Sequence, residues 1–124
     1  MIDFTNGVLA KLSMTDNDTY RDRISAFLTE DEEIIISFQG FRDGTVFTNK
    51  RIIAINVQGV SGKKVSMSSI PYANIQCFAI ETAGIADIDS ELALWVAGLG
   101  RVLFEFTSDS PVDYICQILS EHIL

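Results

Sequence analysis

From Glu33 onward, apolar and polar side chains take turns along the chain. Ile34, Ile36 and Phe38 alternate with Ile35, Ser37 and Gln39, and Gly40 closes the run, a period-two pattern that predicts a strand. Arg42-Asp43-Gly44 reads as a turn and Thr45 to Thr48 as a second strand. Asn49 and Lys50 then link tightly into Ile52 to Val57, because Asn tolerates turn conformations that β-branched residues resist. Ile53, Ile55 and Val57 are expected to share one face. Gly59 to Gly62 makes the next reversal. Val65, Met67 and Ser69 alternate with Lys64, Ser66 and Ser68 until Pro71, which has no amide to donate, ends the strand. Ile75 to Ala83, Glu91 to Ala97 and Val102 to Thr107 bring the expected number of strands to seven, with Gly84 to Asp89 and Gly98 to Arg101 as connections.

The two ends follow a different period. Phe4, Val8 and Leu12, then Tyr20, Ile24, Phe27 and Leu28, recur at helical spacing, so residues 1–30 are expected to form an N-terminal segment of short helices, followed by the main domain over residues 31–124. Thr15-Asp16-Asn17-Asp18-Thr19 separates the two sets and supplies oxygens suited to capping the second helix. At the other end, Ser110-Pro111-Val112-Asp113 reads as a helix start with serine at the cap and proline at the first position. Val112, Ile115, Cys116, Leu119 and Ile123 form one apolar stripe behind it. Strands followed by one amphipathic helix predict a mainly β fold: a strongly bent antiparallel sheet, or partly open barrel, with the C-terminal helix plugging one end.

At 124 residues the chain is one domain, able to bury roughly two-thirds of its unfolded surface without a covalent staple. Cys77 and Cys116 lie in apolar runs with no metal-ligand spacing, which fits small core hydrophobes in a reducing compartment. No apolar run approaches the ~20 residues of a membrane span, and the first twelve residues do not read as a signal peptide. A cytoplasmic protein is expected. The net charge of −8 opposes binding to nucleic acid. The charge is unevenly spread: residues 1–33 carry −5, residues 40–64 carry +4 and residues 65–124 carry −7. Such a chain can steer onto a copy of itself, head to tail.

Catalytic chemistry finds no support. His122 is the only histidine and sits near the end of the last helix, where it suits the helix's negative pole. Neither cysteine has an activating neighbour. Asp87, Asp89 and Glu91 alternate like the opening of a calcium loop, but Leu92 stands where the essential glycine belongs, so a solvated turn is expected rather than a metal site. No cofactor and no enzymatic activity are expected. Trp95, between Leu94 and Val96, is expected to be buried in the core or between protomers.

Several motifs recur together in order: Arg42-Asp43, Phe47-Thr48-Asn49-Lys50-Arg51, Gly59 with Gly62-Lys63-Lys64, Ser69-Ile70-Pro71-Tyr72, Glu81-Thr82-Ala83-Gly84 and Asp87-Ile88-Asp89-Ser90-Glu91-Leu92. From about Thr29 to Leu124 the chain resembles the small single-domain members of the bacterial pleckstrin-homology-like (PH-like) family. The resemblance implies side-by-side assembly into a closed ring, commonly five-fold, with a hydrophilic surface where neighbouring sheets meet and a protein as its partner. Family variants with an added C-terminal helical hairpin make this chain, ending after one helix, an expected small ring. Arg42, Asp43, Lys64, Glu81, Asp87, Asp89 and Glu91 are the candidate residues of that surface, pairing opposite charges near turns. The alternative is a sensor of anionic lipid or small anions using Lys50, Arg51, Lys63 and Lys64. It is the weaker reading, because the first hairpin offers only Arg42 beside Asp43 where lipid-binding relatives of the fold cluster several cations.

Overall fold

A computed structural model describes residues 2–4, 7–58, 64–82 and 89–124. Eight strands form one continuous sheet in the order β5-β4-β3-β2-β1-β8-β7-β6, and its two ends are not joined by a ladder among the described residues. The strands are β1 (Leu9–Thr15), β2 (Ile34–Gln39), β3 (Asp43–Thr48), β4 (Arg51–Gln58), β5 (Lys64–Pro71), β6 (Ile75–Glu81), β7 (Ser90–Val96) and β8 (Gly100–Phe106). Helix α1 (Arg21–Ile24) is a single turn, and α2 (Val112–Ile123) closes the chain. The seven strands read from the alternating pattern are all present within a residue or two of the expected bounds. The eighth, β1, was expected to be helix.

The reason for that difference is local. β1 pairs antiparallel with β2 and parallel with β8, and its pairing with β8 is irregular between Leu9 and Leu12. Lys11 sits inside the irregularity with φ of +55°, a left-handed conformation that lysine rarely adopts. An extra residue in a strand turns side chains three apart to the same face. Leu9 and Leu12 therefore both point into the core, whereas Val8, which helical spacing set on one face with Phe4 and Leu12, is exposed. The second N-terminal element is helical but brief, α1 followed by one 3-10 turn over Ser25–Phe27.

The sheet bends around one main core, in which Phe38, Phe47, Leu92, Leu94, Phe104 and Phe106 are fully buried. Helix α2 plugs it with Ile115, Ile118 and Leu119. The helix starts one residue later than its sequence suggests. Pro111 takes the cap position without a side-chain bond, while Ser110 Oγ meets Thr107 Oγ1 at 3.0 Å and donates to the Leu12 carbonyl at 3.4 Å. The stretch from Thr15 to Thr19 also forms a turn of its own, closed by Asp18 N donating to Asp16 Oδ1 at 2.8 Å, and provides no side-chain cap for α1.

A second, smaller core lies on the outer side of β3–β5. Tyr20 and Ile24 pack there on Val46, Ile53 and Ile55, with Phe27 and Leu28 alongside. Tyr20 approaches so closely that a Cβ at Gly44 would collide with its ring. Over β6–β8 the outer face has no such cover among the described residues. It carries Cys77, Trp95 and Arg101 in one cross-strand row. Cys77 is exposed and is not the core residue its apolar neighbours suggested, and Cys116 is half-buried; Trp95, 37% exposed, lies outside the protomer core, which leaves burial between protomers of the two alternatives for it.

Candidate interaction surface

The Thr48-Asn49-Lys50-Arg51 motif folds into a polar clamp at the β3–β4 turn. Glu32, whose side chain is wholly buried, receives Arg51 Nε on Oε2 at 2.8 Å and Arg51 Nη2 on Oε1 at 2.5 Å. Thr48 Oγ1 donates to Glu32 Oε2 at 2.6 Å, and the Thr29 amide donates to Glu32 Oε1 at 3.1 Å. Arg51 places two further donors on the Phe27 carbonyl and Ser69 Oγ, with its guanidinium over the Phe27 ring. The Arg51 hydrogen bonds hold the Glu32 carboxyl down at about 2, against the ordinary 4.5 and against the opposing effect of burial. Lys50 is paired with Asp31 at 2.7 Å, and that bond likewise keeps Asp31 below its usual range.

The clamp also reaches the second half of the sheet. Tyr72 Oη donates to the Thr48 carbonyl at 2.7 Å, and burial pushes this phenol well above its usual range. Its ring stacks on His122, centroids 4.9 Å apart. His122 Nδ1 lies 2.7 Å from the Ile118 carbonyl in the last turn of α2, the position where a donor meets the helix's negative end. This one of the several motifs behind the family likeness is thus a fastening between β3, β4, the segment before β2 and α2.

The three described cations of the anion-sensor alternative, Lys50, Arg51 and Lys64, are not assembled together. Lys50 and Arg51 lie at the start of β4, whereas Lys64, paired in register with Gln58, lies at its far end. An eight-residue strand at ~3.3 Å per residue separates the two ends by roughly 23 Å. Lys63 lies outside the described residues, as do Asp87 and the expected turn at Gly59 to Gly62.

Among the other candidates, the structure brings Asp43, Asp89 and Glu91 into one polar strip, and β1 is the connection. The Ala10 amide donates to Asp43 Oδ2 at 3.4 Å, and Asn56 Nδ2 holds Asp43 Oδ1 at 2.8 Å. The next residue, Lys11, donates its amide to Glu105 Oε1 at 3.3 Å and places Nζ 3.1 Å from Asp89 Oδ2. That hydrogen bond to Asp89 raises the Lys11 pKa. Glu105 opposes Glu91 across β7–β8, and Glu91 opposes Glu81 across β6–β7. Directly opposed residues share a face, and like charges there destabilise by roughly 0.2–1 kcal/mol per pair. The carboxylate row Glu81–Glu91–Glu105 is therefore an unfavourable feature of the isolated protomer.

Lys11 and Glu105 belong to this strip without having been singled out in the sequence. Glu105 is legible only once the β7–β8 register is known, and Lys11 only once β1 is a strand. Arg42 lies at the tip of the β2–β3 hairpin, its Nη1 donating to the Val57 carbonyl at 3.3 Å. Lys64 opens the edge strand β5, and Glu81 ends the edge strand β6. Among the described residues no group of three or more His, Cys, Asp or Glu side chains converges as metal ligands would.

The fold has close counterparts. The family model described as the bacterial PH domain matches residues 3–123. The chain belongs to the bacterial PH-domain family. Among relatives, it is 37% identical over 119 residues to the uncharacterized protein YjqA of Bacillus subtilis, covering 94% of this chain and 95% of that one. It is 35% identical over 101 residues to the uncharacterized protein YozO of the same organism, covering 82% and 87%. A crystal structure of a DUF1696 family protein with a pleckstrin-homology domain from Shewanella loihica superposes with a TM-score of 0.82 at 34% identity, over 93% of this chain and 99% of that one. A pleckstrin homology domain from Shewanella amazonensis gives 0.70 at 39% identity, over 89% and 90%. This bacterial PH domain thus has its likeness along nearly the whole chain, β1 included. No helix among the described residues is long and apolar enough to cross a membrane.

Proposed function

We propose that this bacterial PH domain is a non-enzymatic scaffold of the cytoplasm that assembles side by side into a closed cyclic homo-oligomer, a pentamer, and presents a hydrophilic surface to a protein partner. The observation that carries this reading is the open sheet with β5 and β6 as its two edges. Edge strands expose unpaired amides and carbonyls, and joining one kind of edge to the other is a heterologous contact that closes into a ring or runs on as a filament.

The edges are complementary in polarity as well as in hydrogen bonding. β5 begins with Lys64, and β6 ends with Glu81. Antiparallel pairing of β5 with β6 of the next copy brings these two residues together. It also carries the Glu81–Glu91–Glu105 row up to a cation, which relieves the like-charge row that costs the lone protomer stability. The polar strip of Asp43, Lys11, Asp89, Glu91 and Glu105 then repeats around the ring as the surface for the partner.

A charge swap tests the contact. Lys64→Glu should weaken association at low salt, measured by sedimentation velocity, and Lys64→Glu combined with Glu81→Lys should restore it. An unchanged single variant would remove the charge-aligned edge. The reading as a lipid or anion sensor is weaker, because Lys50 and Arg51 already hold Asp31 and Glu32 and stand a strand's length from Lys64. Salt-sensitive pelleting with phosphatidylserine vesicles would revive it.

A further inference from the structure

The outer face of the sheet is covered on one half and bare on the other. Over β3–β5 the short helical turns lay Tyr20, Ile24, Phe27 and Leu28 on it. Over β6–β8 nothing among the described residues plays that part, and the outward side chains stand in three cross-strand rows. Cys77, Trp95 and Arg101 make the first, Ala79, Ala93 and Leu103 the second, and Glu81, Glu91 and Glu105 the third. Ala93 and Leu103 belong to neither core, and Ala79 and Trp95 are exposed. An apolar floor beside an exposed tryptophan, rimmed by charge, has the make-up of a docking face.

Its dimensions suit one helix. Two strand spacings make the face about 10 Å across, the width of an α-helix, and its first and third rows lie ~13 Å apart, the rise of about nine helical residues. Charge selects the chemistry of that helix. Lys11 gives Nζ to Asp89 and its amide to Glu105, but among the described residues neither Glu81 nor Glu91 has a cationic partner. Arg101 stands at the opposite end of the face. A second copy laid face to face would set one arginine against three carboxylates at each end, so acidity would stay in excess. Anionic lipid and nucleic acid are repelled for the same reason. Edge pairing of β6 with a neighbouring protomer would engage Glu81 alone, and it extends the sheet without covering this face.

We infer that the outer face of β6–β8 binds a basic amphipathic helix of another protein, with the helix's apolar side on Ala93, Leu103 and Trp95 and its lysines or arginines toward Glu91 and Glu105. The binding mode is that of a helix laid by its apolar face on a complementary surface. The inference rests on the reading of the Glu91–Glu105 strip as a surface for a protein partner, and it adds the partner's chemistry. The whole face belongs to one protomer, so it does not require the ring.

Trp95 is the only tryptophan of the chain, so its emission reports on this face alone. Titrating the full chain at low salt with an amphipathic helical peptide of leucine, alanine and lysine should shift that emission to the blue and saturate. Glu91→Lys places a cation between two carboxylates, an arrangement that favours the folded sheet. It should weaken binding of the labelled peptide, read by fluorescence polarisation, about tenfold. Trp95→Ser should weaken it as well. Asp22→Lys makes the same change in net charge on α1, over the covered half, and should leave the affinity nearly unchanged. An emission that stays unshifted, or equal losses in Glu91→Lys and Asp22→Lys, would overturn the inference, the latter because the peptide would then be sensing net charge only. Light scattering on the same samples separates this face from the ring. A monomer whose Trp95 shifts with peptide removes the ring and keeps the docking face, and a ring whose Trp95 does not shift does the reverse.

Discussion

The residue that decides most in this molecule is Arg51. Its guanidinium satisfies both oxygens of a carboxylate whose side chain has no exposed surface, and removing one member of a buried pair leaves the other charged and unpaired, at a cost of about 3–5 kcal/mol. Arg51→Met should therefore lower stability to chemical denaturation by that order, while Arg51→Met with Glu32→Gln should recover part of it. A loss in the double variant equal to the sum of the two single losses would mean the pair is not coupled. The same carboxylate sets an acid limit. Because the folded Glu32 carboxyl is held at about 2 against an ordinary 4.5, its contribution is complete above the ordinary value and drains away as the pH falls toward 2. That contribution is on the order of 3 kcal/mol. The stability advantage of wild type over Glu32→Gln should shrink across this window in pH-dependent unfolding, and a constant difference would argue against the clamp. Thr-Asn-Lys-Arg was visible as a motif, but its role was not, because Glu32 lies nineteen residues away from Arg51 in sequence and only the fold closes that distance.

At the scale of the element, the strands with an alternating pattern were legible even where a ladder slips, as in β2–β3 and β6–β7, and β1 was not. Ile36 and Phe38 bury the inner side of β2, although Ser37 between them is equally buried and the ladder slips at Ile34, which packs on the smaller core; Val102, Phe104 and Phe106 alternate with half-buried neighbours in β8. β1 hides its strand character in the irregularity at Lys11, which puts Leu9 and Leu12 on one face at a spacing that a helix would also give. The distinction has a measurable consequence. Leu12 is fully buried in the main core, so Leu12→Ala should cost about 2–5 kcal/mol. A detachable N-terminal helix would let that substitution pass nearly unnoticed in thermal unfolding. The cap of α2 was misplaced by one residue for a related reason. Ser110 has the right chemistry for a cap, but its hydroxyl serves Thr107 and the Leu12 carbonyl, partners that a reading of neighbouring residues cannot anticipate.

At the scale of the whole molecule, charge is sorted by the fold into places with consequences. The opposite local charges read along the chain end up as Lys64 and Glu81 on the two free edges, and as a carboxylate row that a lone protomer gains nothing by keeping. The sequence supplied the charges and the strands that carry them. It could not supply the order β5-β4-β3-β2-β1-β8-β7-β6, because β1 joins the two halves by a parallel pairing with β8 that links residues some ninety-four apart, as between Lys11 and Glu105. Only with that order do the edges become β5 and β6. The central claim, a closed ring built from those edges, is tested most directly by size exclusion coupled to light scattering at tens of micromolar and low salt. The ring predicts a mass of about 69 kDa, five copies of the 13.7 kDa chain, that stays constant on moderate dilution; a single peak at 13.7 kDa would contradict it.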